Sequence, residues 1–363
     1  MRNLASLALA LGVSTAALAQ TTAAGQHVTK LAEGVYAIVH DDAPDGNPNG
    51  NTTVIIGDRD VLVVDSDFAL SMAKADIALI RKWTDKPVRY LLNTHRTNDH
   101  NMGNALYKEA FPAMDVIAHR ETKRGMYRAP VTPERFEHYV AVREERIRSG
   151  KNADGRPLTD EEMAATMKSL EAKKQMLAEF REYHYLAPTI TFDEGMDVDL
   201  GNRVAQIRFL GPGVTPGDAV VYLPKEKILA SGELVTHPAM YTFGGYPSEW
   251  VRTLERISRL DIDAIVPAHG DVLRGKSVCM DFLALEREYL QSAVDQVHAQ
   301  LEKLTAVSEL PPLADVRKGV DLSPFRTRFA GSDKEQLEFF DGASEALIRV
   351  TYDEEMHNAV TPR

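Results

Sequence analysis

The chain is poor in the features that would staple a small fold, thread it through a membrane or hold it on nucleic acid. It has one cysteine, Cys279, so no disulfide can close within the chain and no thiolate cluster can hold a metal. Lysine and arginine number 42 against 53 acidic residues, a net charge of −11, and no basic stripe relieves it, which argues against nucleic acid as a partner. Past residue 19 no apolar run reaches the ~20 residues a membrane span needs. There is no Gly-rich phosphate loop, no serine nucleophile elbow and no internal repeat. What is present is a chain of 363 residues, 44% hydrophobic, long enough to bury a full core in one or two domains.

Residues 2 to 19 carry Arg2, an apolar run from Leu4 to Val13, and Ala17-Leu18-Ala19 ahead of Gln20. A charged start, a short apolar centre and a small-residue exit make a secretory leader. The expectation is a mature chain from Gln20 and a periplasmic or secreted bacterial protein. Cys279, in an apolar context, is expected to be a buried small hydrophobe.

From Val28 the pattern alternates short apolar strands with turn signals, with Val35 to Val39, Thr53 to Ile56 and Val61 to Val64 forming a meander. Phe68 to Trp83 has helical spacing and stops before Pro87, and Val88 to Leu92 reads as a buried strand. Gly103 to Ala110 is the next helix and Val116 to Ala118 the next strand, with His119 expected at the surface or in a loop. Residues 120 to 186 break the rhythm as a helical hairpin. Pro133 and Gly150 bracket its first helix, and a Thr159/Glu162 capping box opens its second, with Met163, Met167, Leu170, Leu177 and Phe180 as the apolar stripe. Strands return at Thr189 to Phe192, Val204 to Phe209, Ala219 to Leu223 and Ile228 to Ala230. Residues 28 to 275 read as one domain carrying the hairpin, and residues 276 to 363 as a helical tail that closes one face or pairs two chains.

The chemistry concentrates after the strand Val88 to Leu92, where Thr94, His95, Asp99 and His100 stand within seven residues, the density of a metal site. Further on come GPGVTPGD at residues 211 to 218, Ala230-Ser231-Gly232-Glu233, and Pro267-Ala268-His269-Gly270. In this order they resemble the metallo-β-lactamase superfamily, with its T-H-x-H-x-D-H signature, its G-P-G-H-T-P-G-D turn, its Gly-Asp strand end and its Pro-x-His-Gly. The resemblance implies a four-layered αβ/βα sandwich with the site at an edge where strand ends meet. It also makes Asp65, closing the strand at Val61, a carboxylate beneath the site.

Against that pattern the chain departs at three ligand positions. Thr97 and Val214 stand where the family has histidines, so the ion of the three-histidine half keeps only His95. The other half keeps Asp99, His100 and His269, with Glu233 in place of the bridging aspartate. The resemblance thus implies one zinc ion (Zn2+) on Asp99, His100, His269 and Glu233, with a place left for water that the ion would acidify. Asp99 and the released His95 are then the candidate catalytic groups, and His237 and Tyr241 candidate substrate contacts. The expected function is a metal-dependent hydrolase of an ester, lactone, thioester or amide. Two alternatives stay open: an inactive member kept for binding after losing its metal, and a dimetal site rebuilt by His237 or His119. A homo-oligomer is open as well.

Overall fold

The computed structural model describes residues 20–21, 25–128, 132–152, 154–305 and 311–360, and the expected leader at 1–19 lies outside the described residues. Two sheets form in chain order. The first holds β1 (Gln20–Thr21), β2 (Gln26–Ala32), β3 (Val35–His40), β4 (Thr52–Ile56), β5 (Val61–Val64), β6 (Val88–Asn93), β7 (Asp115–His119) and β8 (Ile190–Phe192), each beside the next. The second holds β9 (Gly195–Asp199), β10 (Val204–Phe209), β11 (Ala219–Leu223), β12 (Ile228–Gly232), β13 (Ala264–Pro267) and β14 (Leu273–Arg274).

The first sheet is antiparallel as far as β5 and parallel from β5 to β8, because helices carry the chain back between those strands. These are α1 (Leu70–Trp83), α2 (Asn104–Ala110) and, between β7 and β8, α3 (Arg120–Arg128), α4 (Pro133–Ser149) and α5 (Asp160–Phe180). Strand β5 shows why its sequence is apolar throughout. Val61 and Val63 pack under α1 with Ala73, Ile77 and Ile80, while Leu62 and Val64 point to the other sheet. A strand covered on both faces has no polar side to alternate with.

The second sheet is covered by α6 (Pro247–Ile257), α7 (Lys276–Thr305), the short α8 (Leu313–Arg317) and α9 (Arg326–Ala330), and α10 (Lys334–Val360). The cluster beneath them runs from Val220, Leu229 and Ile265 of the sheet to Trp250, Leu290 and Leu347 of the helices. Trp250 is 1% exposed and its indole N–H donates to the Leu234 carbonyl at 3.1 Å. Helices, sheet, sheet and helices give the four layers expected, and Cys279 is buried and free. No helix among the described residues is long and apolar enough to cross a membrane.

Three local readings are corrected. The insertion begins with a helix, α3, that the hairpin reading did not include. Met167 is 53% exposed, so the buried apolar stripe of α5 is Leu170, Met176, Leu177 and Phe180, which pack against α4 and onto Phe68 and Met102 beside the metal loop. The capping box of α5 forms as read, with Glu162 N–H donating to Thr159 Oγ1 at 3.2 Å and Thr159 N–H to Glu162 Oε2 at 2.8 Å. His119 is not at the surface. It closes β7 at 6% exposure, its ring stacked on Phe209 at 4.4 Å and its Nε2 donating to the Asp193 carbonyl at 3.0 Å.

Candidate metal centre

The site lies where two parallel strand pairs end on the same edge. In the first sheet Val64 is in register with Leu92, so Asp65 follows one strand where Thr94 and His95 follow the other. In the second sheet Gly232 pairs with Pro267, which brings Glu233 level with Ala268 and His269. Ligand sites gather at such carboxyl ends. The sheets also touch here. A Cβ on Gly232, whose φ is +54°, would stand 2.6 Å from Thr94 Cβ, so a side chain there would push the two halves of the site apart.

Four side chains from three segments converge. His100 Nε2 and His269 Nε2 lie 3.1 and 3.0 Å from Asp99 Oδ2, and each lies 3.3 Å from Glu233 Oε2. His100 and His269 are buried, Glu233 is 5% exposed, and Asp99, at 17%, is the one the solvent reaches. A tetrahedral zinc ion with ligands at about 2.0–2.2 Å separates them by roughly 3.3–3.6 Å, close to these spacings. His100 Nε2, His269 Nε2 and Glu233 Oε2 are buried with no hydrogen bond of proper geometry, an arrangement that a cation resolves. The residues present therefore fit a metal ion, and Asp99, His100, Glu233 and His269 are the set that would hold it.

The tautomers fit as well. Asp65 Oδ2 accepts His100 Nδ1–H at 2.8 Å, and the Asn49 carbonyl accepts His269 Nδ1–H at 3.2 Å, which leaves both Nε2 atoms turned into the cluster. Asp65 is held at a φ of +64° by its partners, accepting also from Thr94 N–H and Thr94 Oγ1–H at 2.8 Å each. Electrostatics follow from the interleaving of two imidazoles with two carboxylates. Burial works against every charge, yet His100 and His269 hold Glu233 down at about 2 and Asp99 well below the carboxylate range, and the carboxylates lift His269 to about 9 and raise His100 as well, so an ion taken up here would displace the Nε2 protons.

The other half of the motif is occupied by protein. His95 is buried, and burial and the neighbouring His100 push its pKa down to about 4, so the ring is neutral. Thr94 Oγ1 gives its proton to Asp65, so it accepts His95 Nδ1–H at 3.0 Å, and Thr97 Oγ1–H donates to His95 Nε2. Both ring nitrogens are thus engaged, although His95 Nε2 is only 3.7 Å from Glu233 Oε2. Val214 packs on the apolar cluster beneath α6. His237 and Tyr241 are outside the set of four ligands but touch His269, His237 N–H donating to its carbonyl at 3.1 Å, and with it they border a cavity of about 590 Å³. Tyr241 stacks on the His269 ring at 4.5 Å. His119 is likewise outside the cluster.

Sequence reasoning missed the loop that joins the halves. Asn51 donates to the Pro267 and Gly270 carbonyls at 2.9 and 2.8 Å, and Gly50 N–H to the Asp99 carbonyl at 3.1 Å. Asn and Gly in such a stretch read as turn residues, and nothing local marks their partners some 50 and 220 positions away.

A family model described as the metallo-beta-lactamase superfamily matches residues 45–269, more than half of the chain. Among curated relatives, a linear primary-alkylsulfatase from a Pseudomonas sp. is 25% identical over 262 residues, covering 69% of this chain and 47% of that protein. A metallo-beta-lactamase type 2 from Bacillus cereus is 32% identical over 82 residues, 21% of this chain and 32% of that one. The structure of a stereoselective inverting sec-alkylsulfatase from Pseudomonas sp. shares the fold, with a TM-score of 0.59 at 14% identity over 90% of this chain and 49% of that chain. The chain thus spans about half the length of the alkylsulfatases it matches. With its sandwich, its strand-end site and its family match over residues 45–269, the chain belongs to the metallo-β-lactamase superfamily.

Proposed function

We propose that the protein is a metal-dependent hydrolase working with one zinc ion on Asp99, His100, His269 and Glu233, and that it cleaves an ester, lactone, thioester or amide bond. The observation that carries the reading is the contrast within one motif. Two Nε2 atoms and a carboxylate oxygen are left without partners beside Asp99, while His95 has both nitrogens engaged.

When bound, the ion would acidify a water molecule and polarise the bond under attack. Asp99 borders the cavity bounded also by Arg96, Thr97 and Asn98, so its carboxylate orients the attacking water and takes its proton. His95 acts as a positioning residue. Its neutral ring takes the Thr97 O–H, which turns the lone pairs of that oxygen toward the cavity Thr97 borders. His237 and Tyr241 contact substrate from the cavity that His269 borders with them. Four protein donors fill a tetrahedron, so the reading requires a fifth place on the ion. Sulfate-ester cleavage is a second reading, drawn from the alkylsulfatase relatives.

The test is elemental analysis of protein purified without added zinc, followed by a screen of lactones, β-lactams, thioesters, phosphoesters and alkyl sulfates. One ion per chain is expected, with metal and turnover lost together in Asp99→Ala and His269→Ala. A folded protein that yields no metal and keeps a bound ligand would instead be the inactive binding member. The proposal includes cleavage of residues 1–19 as a leader, with the mature chain from Gln20 exported to the periplasm or outside the cell. N-terminal sequencing of exported protein checks this, and an intact Met1 would sink it.

A further inference from the structure

Beside the ligands the protein opens a groove whose lining runs against the charge of the whole. A cavity of about 390 Å³ bordered by Arg96 and Asp99 adjoins one of about 270 Å³ bordered by Arg143 and Lys173, and the two share Asn47, Phe68 and Asn98 as walls. The chain carries a net charge of −11, yet these walls present three cations and a single carboxylate, Asp99, which belongs to the ligand set.

The three cations are not equivalent. Lys173 Nζ lies 2.5 Å from Asp45 Oδ2, whose side chain is buried, so its charge is already matched. Arg143 is fixed by neutral acceptors, Nε to Ser169 Oγ at 2.7 Å and a terminal nitrogen to the Tyr139 carbonyl at 3.1 Å, which aim the guanidinium without neutralising it. Arg96 is exposed and makes no ion pair among the described residues, although it sits in the metal loop between His95 and Thr97.

Arg96 is nevertheless seated. Its stem lies over Gly125 of α3, where a Cβ would come 2.3 Å from Arg96 Cδ and 3.2 Å from Arg96 Cβ. Glycine is a poor helix former, and its presence within α3 is accounted for by the room it leaves for this arginine. An unpaired guanidinium, held by its stem at the mouth of a cavity that reaches a metal ligand, is a fork presented to planar or tetrahedral oxyanions.

We propose that this groove is the site for an organic oxyanion, a carboxylate, sulfate or phosphate carried on the substrate away from the bond that is cleaved, held by Arg96 and Arg143 with its carbon chain along Phe68 and Phe136. The assignment to substrate rests on the hydrolase reading above, but the binding itself does not depend on turnover. Ligand-observed NMR titration of the full chain with hexyl sulfate, hexyl phosphate, hexanoate and hexanol tests it, repeated on Arg96→Gln, Arg143→Gln, Gly125→Ala and Asp99→Ala. The oxyanions should saturate with a dissociation constant of about 1 mM or below. Hexanol should bind at least about tenfold more weakly, as should the oxyanions to Arg96→Gln and to Arg143→Gln, a charged hydrogen bond being lost in each case. Gly125→Ala should weaken binding severalfold with an unchanged or higher melting temperature, which separates displacement of Arg96 from misfolding. Asp99→Ala should keep the anion while losing metal, so failure of the hydrolase reading leaves this result standing. The proposal is overturned if no oxyanion saturates in the millimolar range, if hexanol binds as well, or if Arg96→Gln leaves affinity unchanged. It is overturned too if binding vanishes in Asp99→Ala but survives in Arg96→Gln, since the anion would then sit on the metal.

Discussion

Two buried clusters in this protein combine imidazole with carboxylates, and either could hold a cation by spacing alone: Asp99, His100, Glu233 and His269 at the strand ends, and His40, Asp67 and Asp76 under α1. They differ in what the imidazole nitrogens are doing. His40 spends both, Nδ1–H on the Gly50 carbonyl at 2.8 Å and Nε2–H on Asp76 Oδ1 at 3.0 Å, so the ring is itself the cation and has no lone pair to give. Burial alone would lower its pKa, but Asp67 and Asp76 overcome this and hold it at about 9. In the strand-end cluster the Nδ1 atoms are committed and the Nε2 atoms are left over. Proximity of ligating residue types is thus common to an internal ion pair and a metal site, and what separates them is a ring nitrogen left without a hydrogen bond.

The two clusters are also joined. His40 fixes the Gly50 carbonyl, and the same short loop gives Gly50 N–H to Asp99 and Asn49 O to His269. The ion pair is a foundation for the loop on which the ligands lean. This suggests experiments that should act on one cluster and not equally on the other.

The largest effect is expected from His40→Ala, which strips the cation from two fully buried carboxyl groups and should cost about 3–5 kcal/mol in urea unfolding of the chelated protein. If His40→Ala matched wild-type stability, the foundation role would be gone. His269→Ala should do the converse. With one of four ligands missing, metal affinity should fall by about 3 kcal/mol, a quarter of the roughly 10–16 kcal/mol typical of structural zinc sites. The chelated variant should unfold near the wild-type midpoint, and affinity is measured against a chelating dye. Asp65→Asn sharpens the comparison, because it leaves every ligand and removes only the charge that orients His100. A loss of affinity of roughly 10- to 100-fold is expected, and a loss equal to that of His269→Ala would make Asp65 a ligand in its own right.

The pH dependence gives the smallest effect. His40 has a folded pKa raised to about 9 from the ordinary imidazole value of 6.5, so its stabilisation is complete below about 6.5 and is lost as pH rises through 9. Relative to His40→Asn, chelated wild-type protein should lose about 2 kcal/mol of stability between pH 7 and pH 9.5. Parallel curves for the two proteins would mean that His40 is not the cation.

Much of this was legible before any coordinates. Val61 to Val64 reads as a strand from its unbroken apolar run, and Thr159 and Glu162 announce the start of α5 by a local hydrogen-bonding rule. His119 was misplaced for the opposite reason, because its neighbours Phe192 and Phe209 come from distant strands and the chain that follows it, Arg120-Glu121-Thr122, is polar. The His40 cluster was invisible for the same reason. Its partners lie 27 and 36 residues away, and a histidine at the end of a strand has no local pattern that separates a surface residue from a buried cation.

The sequence by itself determined which chemistry was available: the order of strands and helices, the residue types at each strand end, and the loss of donors at Thr97 and Val214. These are local properties, written in periodicity and in the atoms each side chain owns. Only the tertiary structure decided which ring nitrogens were left without a hydrogen bond, that Thr97 would take the nitrogen His95 had to offer, that Arg96 would stand unpaired over Gly125, and that a loop at residues 49–51 would tie the two sheets together. A lone pair is spent by whichever donor arrives first in space, and register between sheets, not distance along the chain, settles which donor that is.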